Sequence, residues 1–272
     1  MRGTVVFLWF LFPAGLALSQ HAPAAFPIPA ATEAQAACTG FITTQAMPAD
    51  TRISDGADND FESYLHQYAP PDFVYLYSRR NRAFSVGEQF SLVRPAKELF
   101  RTTRYSGEHW SLRGLGKPYE DVGRVRVKQV TPEGAIAEVV FACGPVYAGD
   151  IALPYRPRAI PEYVPAQLDH FATPSRKMWG FIVAARNNFA SMKGGDIVYL
   201  NFGEKRGARV GQRYRVYYAL PCPSRFSVAA YHVLPPESVG ELVVLSTQEK
   251  SAVGIIVDST RDVSLGYVVE LE

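Results

Sequence analysis

The chain contains the same pattern twice, and this internal duplication constrains its fold more than any other feature of the sequence. Residues 122–155 align without a gap to residues 239–272, an offset of 117 positions. Ahead of them, Asp72–Arg94 aligns without a gap to Asp196–Tyr218, an offset of 124 positions. Glycines match in both copies of the later block, Gly123 with Gly240 and Gly149 with Gly266. Alternating valines arise in any two strand-rich stretches, but two blocks in one order with matching glycines indicate a duplicated unit.

Each unit is predicted to be a small β-barrel. The 15 tyrosines and 16 phenylalanines favour strands over helices. Asp72–Arg94 and its counterpart contain a strand, a basic turn and a return strand, which predicts a hairpin. Another hairpin is predicted at Thr131–Gly134, where a proline and a glycine suit a tight turn. Five or six short strands cannot form a large sheet, and closure removes exposed strand edges. We therefore expect an all-β fold with two consecutive small β-barrel-like repeats joined by a Pro-rich linker.

The duplication also sets the expected boundaries. The predicted order is a signal peptide at residues 1–19, a disordered Ala/Pro-rich tether at 20–37, the first barrel at 38–155, a linker at 156–177 and the second barrel at 178–272. The tether has no strand or helix period. The prolines of the linker exclude regular secondary structure, although Tyr163, Leu168 and Phe171 are apolar enough to pack on a surface. Similar sequences, Thr39–Ile42 and Trp179–Ile182, are expected to open the two repeats.

The N-terminus has the features of a secretory signal peptide. Arg2 supplies a positive charge, Val5–Leu18 is apolar, and Ala17–Ser19 forms a small-residue cleavage site. An uncleaved anchor is the alternative. No later stretch is apolar enough to span a bilayer, so no transmembrane span is expected after signal removal. We therefore expect an exported protein of the periplasm or outer envelope.

Export places the three cysteines in an oxidising compartment. A disulfide is predicted between Cys38 and Cys143, because Met178 and Thr260 stand at the matching positions of the second repeat and both thiols are missing there together. Cys222 is then the free thiol. Three unpaired thiols are the alternative.

The sequence contains no motif that predicts catalysis. It has no zinc-type pairing of histidines and cysteines and no hydrolase or nucleotide-binding signature, so no catalytic residue, metal site or cofactor is expected. The acidic cluster of Asp55, Asp58, Asp60 and Glu62 is interpreted as a solvated loop, with calcium binding as the alternative. A formal net charge of only +2 gives no reason to expect nucleic acid as a partner.

Two equivalent basic turns are the candidate binding residues. They are Arg79, Arg80 and Arg82 in the first repeat and Lys205, Arg206 and Arg209 in the second. Tyrosines lie close to both turns, and arginine beside aromatic rings can hold an anionic polymer such as a cell-wall glycan, or lipid head groups. The alternative, which we favour, is a charged turn that keeps strand edges soluble.

The repeated blocks resemble a family of exported bacterial envelope proteins that carry elements of the form GDxVYL, VGDxYxVYR, GELxVLxVxxxSAxAxV and GDxVE. The element is also similar to the C-terminal small β-barrel of flagellar assembly protein T. The matching segments here are Gly195–Leu200, Val210–Gly211, Gly240–Leu245 and Ser251–Ala252. Gln212 and Tyr267 depart from the pattern, and the LysM glycan-binding modules of some members are missing. The resemblance implies a non-enzymatic role in the envelope.

The leading hypothesis is therefore a non-enzymatic exported envelope protein that binds or scaffolds through its two barrels and contacts cell-wall glycan or an envelope assembly. The alternative is a secreted hydrolase whose catalytic site is assembled from distant residues, such as His109 or His232 with a loop aspartate.

Overall fold

The computed structural model describes residues 26–54, 66–96, 112–218 and 236–272. In the first half the elements are β1 (Ile28–Pro29), α1 (Glu33–Ala37), β2 (Phe41–Thr43), β3 (Thr51–Ser54), β4 (Phe73–Ser78), β5 (Gln89–Pro95), β6 (Lys117–Thr131), β7 (Gly134–Ala142) and β8 (Ile151–Pro154). In the second half they are β9 (Glu162–Tyr163), β10 (Trp179–Ala185), β11 (Ser191–Met192), β12 (Ile197–Leu200), β13 (Arg213–Tyr217), β14 (Ser238–Thr247), β15 (Ala252–Ser259), β16 (Val263–Ser264) and β17 (Val268–Leu271). Short 3₁₀ turns cover Arg186–Asn188 and Glu204–Arg206.

The strands form two closed six-stranded barrels. Around barrel 1 the order is β3, β4, β7, β6, β5, β8 and back to β3, and β2 adds to the outside of β6. Around barrel 2 the order is β10, β12, β15, β14, β13, β17 and back to β10. The all-β prediction with two barrel-like repeats is confirmed. Closure pairs the strand edges, as expected for short strands that cannot leave their backbone groups unpaired.

The duplication extends to the pairing of individual residues. In barrel 1 Phe90 lies opposite Val125, and at the same offsets in barrel 2 Tyr214 lies opposite Leu242. The irregularity after Leu92 in β5 recurs after Val216 in β13. Both bulges of the β6–β7 ladder also recur in the β14–β15 ladder at an offset of 117. Because a one-residue slip would turn every side chain to the wrong face, matched registers place equivalent side chains on equivalent faces.

Side chains fill both barrel interiors. Phe90, Leu76 and Leu92 are fully buried in barrel 1, and Tyr214 and Phe202 are fully buried in barrel 2. Burial raises the pKa of Tyr214 to about 12. Each barrel is therefore a packed core, and ligand contacts must be sought on the outer faces and between the barrels.

The matching glycines have a steric cause. A Cβ on Gly123 would lie 2.4 Å from the carbonyl oxygen of Phe141, and a Cβ on Gly240 would lie 2.6 Å from that of Asp258. Both contacts are far inside van der Waals distance. Each glycine therefore allows its strand, β6 or β14, to lie close to the neighbouring strand, β7 or β15, at the bulge of that ladder.

The hairpin prediction for Asp72–Arg94 and its counterpart is wrong, although their equivalence is right. β4 pairs with β3 and β7, whereas β5 pairs with β6 and β8, so the two strands lie on opposite sides of barrel 1. β12 and β13 are separated in the same way. The basic turns therefore connect strands on opposite sides of each barrel. A long connection can do this as readily as it can join adjacent strands. The predicted tight turn at Thr131–Gly134 does join two paired strands.

The two similar opening sequences do not occupy equivalent places. β10 belongs to barrel 2, and its counterpart in barrel 1 is β3, not the β2 strand at Phe41–Thr43. β2 lies outside barrel 1 and pairs with β6. The sequence similarity of the openings therefore suggested a false alignment, because both are short apolar strands that begin near a glycine.

The expected tether is structured from residue 28 onward, so that prediction is wrong for residues 28–37. β1 pairs with β9, and α1 begins with a capping box in which Thr32 and Gln35 exchange hydrogen bonds. Ala30 and Ala31 are buried against the outer face of barrel 2. Small side chains allow this close approach, which a search for helix or strand periodicity misses. The predicted signal peptide lies outside the described residues.

The linker covers one side of barrel 2. Its prolines predict the exclusion of regular secondary structure, yet the two-residue strand β9 forms within it; among the described linker residues it is the one helix or strand. Leu168 is buried and Tyr163 is partly buried, whereas Phe171 is 75% exposed and does not anchor the linker. The hydroxyl of Tyr217 donates to the carbonyl of Ala172 at 3.4 Å, which ties the linker to β13.

Candidate binding surfaces on and between the barrels

A strap at residues 38–44 joins the two barrels. The disulfide between Cys38 and Cys143 attaches the strap to barrel 1, as the sequence predicts, with the two Cα atoms 5.6 Å apart. On the other side, the hydroxyl of Tyr199 donates to the carbonyl of Thr39 at 2.8 Å. The predicted free thiol, Cys222, lies outside the described residues.

Charged side chains also hold the strap. Asp121 on β6 accepts from the backbone N–H of Gly40 at 2.7 Å and binds Arg158 of the linker through both carboxylate oxygens, at 2.5 and 2.7 Å. The same guanidinium donates to the hydroxyl of Thr39 at 2.8 Å. Strap, barrel 1 and linker therefore meet at one carboxylate, a junction that nothing in the sequence spacing indicated.

A cleft of about 900 Å³ lies beside this junction, with walls from both barrels. On the barrel 1 wall, Arg94 binds both oxygens of Asp150 at 2.6 and 2.7 Å and lies 3.6 Å from Glu120. Burial raises the pKa of Glu120, and Arg94 opposes that rise. On the barrel 2 wall lies Arg186. Balanced, mostly paired charges make the cleft suitable for a small polar molecule, but the described lining residues include no histidine to activate a nucleophile.

The first basic turn is largely occupied by contacts within the chain. Arg80 lies 3.3 Å from Asp50, and Arg82 forms an ion pair with Glu88 and covers the ring of Phe90. In the described part of the chain, Arg79 has no ion pair. The three arginines thus lie near one another, but two of them are neutralised by neighbouring carboxylates.

The second basic turn is occupied in a similar way. Lys205 forms an ion pair with Glu249, and Arg206 donates to the carbonyl of Trp179 at 2.7 Å. Arg209 is exposed, and within the described ranges its side chain has no ion pair. These contacts agree with a charged surface turn, and whether either turn binds a polymer stays a prediction.

Three exposed aromatic side chains form a row on the outer face of β4 in barrel 1. Phe73, Tyr75 and Tyr77 point outward at alternate positions and are 57%, 50% and 50% exposed. Tyr75 and Tyr77 were predicted only to lie close to the basic turn. The alternation in Phe-Val-Tyr-Leu-Tyr is the sequence signal that places all three rings on one face.

The equivalent face of barrel 2 is buried. Ile197 and Tyr199 on β12 stand at the positions of Phe73 and Tyr75, and both are 4% exposed. They pack in a cluster that includes Ile42 of the strap and Leu115 before β6. The same outer face therefore serves as an interface in barrel 2 and is open in barrel 1.

The remaining predictions concern absent chemistry. Within the described residues, no three His, Cys, Asp or Glu side chains are grouped as ligands for a metal ion. The acidic cluster of Asp55, Asp58, Asp60 and Glu62 lies outside those residues, as do His109 and His232. No helix in the described part of the chain is long and apolar enough to span a bilayer.

Comparisons with known proteins add no relative. No protein-family model matches the chain, and no curated protein matches it significantly. The resemblance to envelope proteins therefore depends only on the quoted segments.

Proposed function

We propose that this protein is an exported, non-enzymatic binding or scaffolding protein of the bacterial envelope, and that the outer face of β4 is its contact surface. Its ligand belongs to the periplasm or outer envelope. The two barrels act as one support, joined by the strap, and the exposed face of barrel 1 makes the contact.

The observation that carries the proposal is the difference between the two equivalent faces. Ile197 and Tyr199 on β12 are covered by residues of the same chain, whereas the aromatic row on β4 is open. Exposed aromatic side chains are removed from water only when a partner covers them. The row lies at positions whose counterparts in barrel 2 are buried, so its exposed rings mark a docking surface.

Two further features support an exported location and a supporting role. A disulfide such as Cys38–Cys143 persists in oxidising compartments. The backbone of a closed barrel with a packed interior is already ordered. Residues on its surface therefore lose little conformational entropy when a ligand binds.

The test uses the full-length chain with a C-terminal tag, expressed with its own N-terminus and recovered from the envelope fraction of a bacterial host. Retention on immobilised envelope material is compared for the wild type and for the row variant Phe73→Ser, Tyr75→Ser, Tyr77→Ser. We expect the row variant to lose retention while its circular dichroism spectrum stays unchanged.

A matched control removes three exposed aromatic side chains elsewhere, by Phe171→Ser, Trp179→Ser and Phe189→Ser. These residues are 75%, 49% and 50% exposed and do not share one strand face. Equal retention of the row variant and the wild type would contradict the proposal, as would a wild type that is not retained at all.

A further inference from the structure

We infer that the ligand of the aromatic row is an uncharged or weakly charged polysaccharide chain that lies along β4. The inference rests on the proposed function. It adds the chemical class of the ligand and the residues that contact it.

The geometry of the row suits a linear chain. Phe73, Tyr75 and Tyr77 follow one another at alternate positions of a single strand, so their Cα atoms are spaced by about 6.6–6.8 Å along the strand. Sugar rings present flat apolar faces of C–H groups, and these faces stack on aromatic rings, whose faces carry partial negative charge. A row of rings on one strand offers successive sugars equivalent platforms.

Polar side chains border the row, as sugar hydroxyls require. Across the β3 ladder, Ser54 lies opposite Tyr75 and Arg52 lies opposite Tyr77. Across the β7 ladder, Glu138 lies opposite Phe73. Directly opposite residues of an antiparallel pair share a face, so hydrogen-bonding groups flank Tyr75 and Tyr77 on the β3 side and Phe73 on the β7 side.

The charges near the row argue against a polyanion. Arg80 is paired with Asp50, and Arg52 donates to the carbonyls of Ala49 and Gly149 at 3.2 and 2.7 Å. Glu138 is paired with Lys128 at 2.7 Å. Binding to a nucleic acid or another polyanion needs several cations that are free to replace counterions. Within the described residues, Arg79 at the end of β4 is such a cation, and Arg126 lies one strand further away, opposite Glu138.

The width of the row argues against a folded protein partner. Stable protein interfaces cover about 800 Å² on each side. The exposed aromatic side chains of this face lie on one strand. They are bordered on β3 by Ser54 and Arg52, and on β7 by Glu138 and the partly buried Ile136. A chain-like ligand fits a surface that is long, narrow and polar along most of its edge.

The inference is tested with peptide-free glycan strands from purified bacterial peptidoglycan, whose exposed lactyl carboxylates have been converted to uncharged methylamides, titrated calorimetrically into the full-length protein. We expect binding that changes little between about 0.1 M and about 0.5 M NaCl, because stacking is not screened by salt. Each of Phe73→Ala, Tyr75→Ala and Tyr77→Ala is expected to weaken binding roughly three- to tenfold. Tyr75→Phe keeps the ring and is expected to bind like the wild type, which separates stacking from loss of the fold.

The outcomes separate this inference from the proposed function. If envelope retention depends on the row but glycan strands do not bind, the ligand class is wrong and the docking surface stands. If neither glycan strands nor envelope material binds, both fall. Affinity that drops more than about tenfold with salt, or tighter binding of single-stranded oligothymidylate than of glycan, would replace the polysaccharide with a polyanion. Unchanged glycan binding in the three alanine variants would place the site elsewhere.

Discussion

Tyr75 of barrel 1 and Tyr199 of barrel 2 occupy equivalent positions, yet Tyr75 is half exposed while Tyr199 is buried and donates its hydroxyl hydrogen to the carbonyl of Thr39. Each lies opposite an equivalent residue in the next strand, Ile136 or Val253. Burial raises the pKa of Tyr199 strongly. The duplicated barrels thus keep their internal registers while one outer face has become an interface and the other has stayed open.

The first prediction concerns the disulfide. The double variant Cys38→Ser, Cys143→Ser removes a cross-link between residues 105 positions apart. Because the cross-link restricts the unfolded chain, its loss is expected to lower the free energy of unfolding by about 2–4 kcal/mol. Urea denaturation with and without reductant measures the change.

Mass spectrometry provides the control for that experiment. Alkylation of the unfolded, unreduced wild type is expected to label Cys222 alone. A peptide that links Cys222 to either other cysteine, or three labelled sites, would contradict the pairing.

The second prediction concerns the matching glycines of β6 and β14. Gly123→Ala and Gly240→Ala each place a Cβ less than 3 Å from a carbonyl oxygen of the neighbouring strand. The clash is expected to cost about 1–3 kcal/mol of stability in each barrel. Gly194→Ala is the control, because the nearest atom to its Cβ is 4.0 Å away. Thermal unfolding that shows no difference among the three variants would disprove the steric explanation.

The third prediction concerns the junction at Asp121. Asp121→Ala leaves the guanidinium of Arg158 without its carboxylate and the N–H of Gly40 without its acceptor. Removing one member of a largely buried ion pair is expected to cost about 3 kcal/mol. Asp121→Asn keeps one acceptor and is expected to cost less. Chemical denaturation in which both variants match the wild type would show that the junction does not stabilise the fold.

The fourth prediction concerns the pH dependence of stability. Burial, reinforced by neighbouring Glu272, raises the pKa of Glu241, and Arg213 opposes the rise from 2.7 Å. The folded protein therefore holds this proton more tightly than the unfolded chain, whose glutamate pKa is about 4.3. The stability that this group contributes is present below that value and is lost as the pH rises through the folded pKa.

We expect Glu241→Gln to flatten this part of the profile, so that the variant gains stability relative to the wild type as the pH rises toward neutral. Urea denaturation at several pH values between about 4 and 7 tests it. Glu133→Gln, at an exposed turn position, is the control and should follow the wild type. A variant whose stability falls with pH as steeply as the wild type would rule out Glu241 as the source.

The fifth prediction concerns the basic turns. Arg79→Ser, Arg80→Ser, Arg82→Ser and the matching variant Lys205→Ser, Arg206→Ser, Arg209→Ser remove exposed side chains whose ion pairs are each worth about 0–1 kcal/mol. We expect both variants to fold and to keep most of their envelope retention. A large loss of retention, together with loss of its salt dependence, would instead show that these turns hold an anionic polymer.

The duplication was readable because strand registers and glycine positions are local consequences of sequence. Gly123 and Gly240 match because the backbone of the neighbouring strand lies too close to either position for a Cβ. This steric requirement is visible in the sequence as a glycine at the same place in both repeats. The disulfide was also predictable, since Cys38 and Cys143 lack counterparts together in the second repeat.

Sequence could not show which strands are neighbours. β4 and β5 follow one another along the chain, but β6 and β7 separate them on one side of the barrel, because the hydrogen bonds that close a barrel join residues far apart in sequence.

By itself the sequence therefore determined an all-β protein with two barrel repeats and one cross-link, since alternation and turns are encoded locally and comparison of the two repeats singled out the cysteine pair. Only the tertiary structure decided that Tyr199 is buried and Tyr75 exposed, because burial depends on what packs over a face. Covering residues such as Ile42 of the strap and Leu115 lie more than eighty positions away from Tyr199 along the chain.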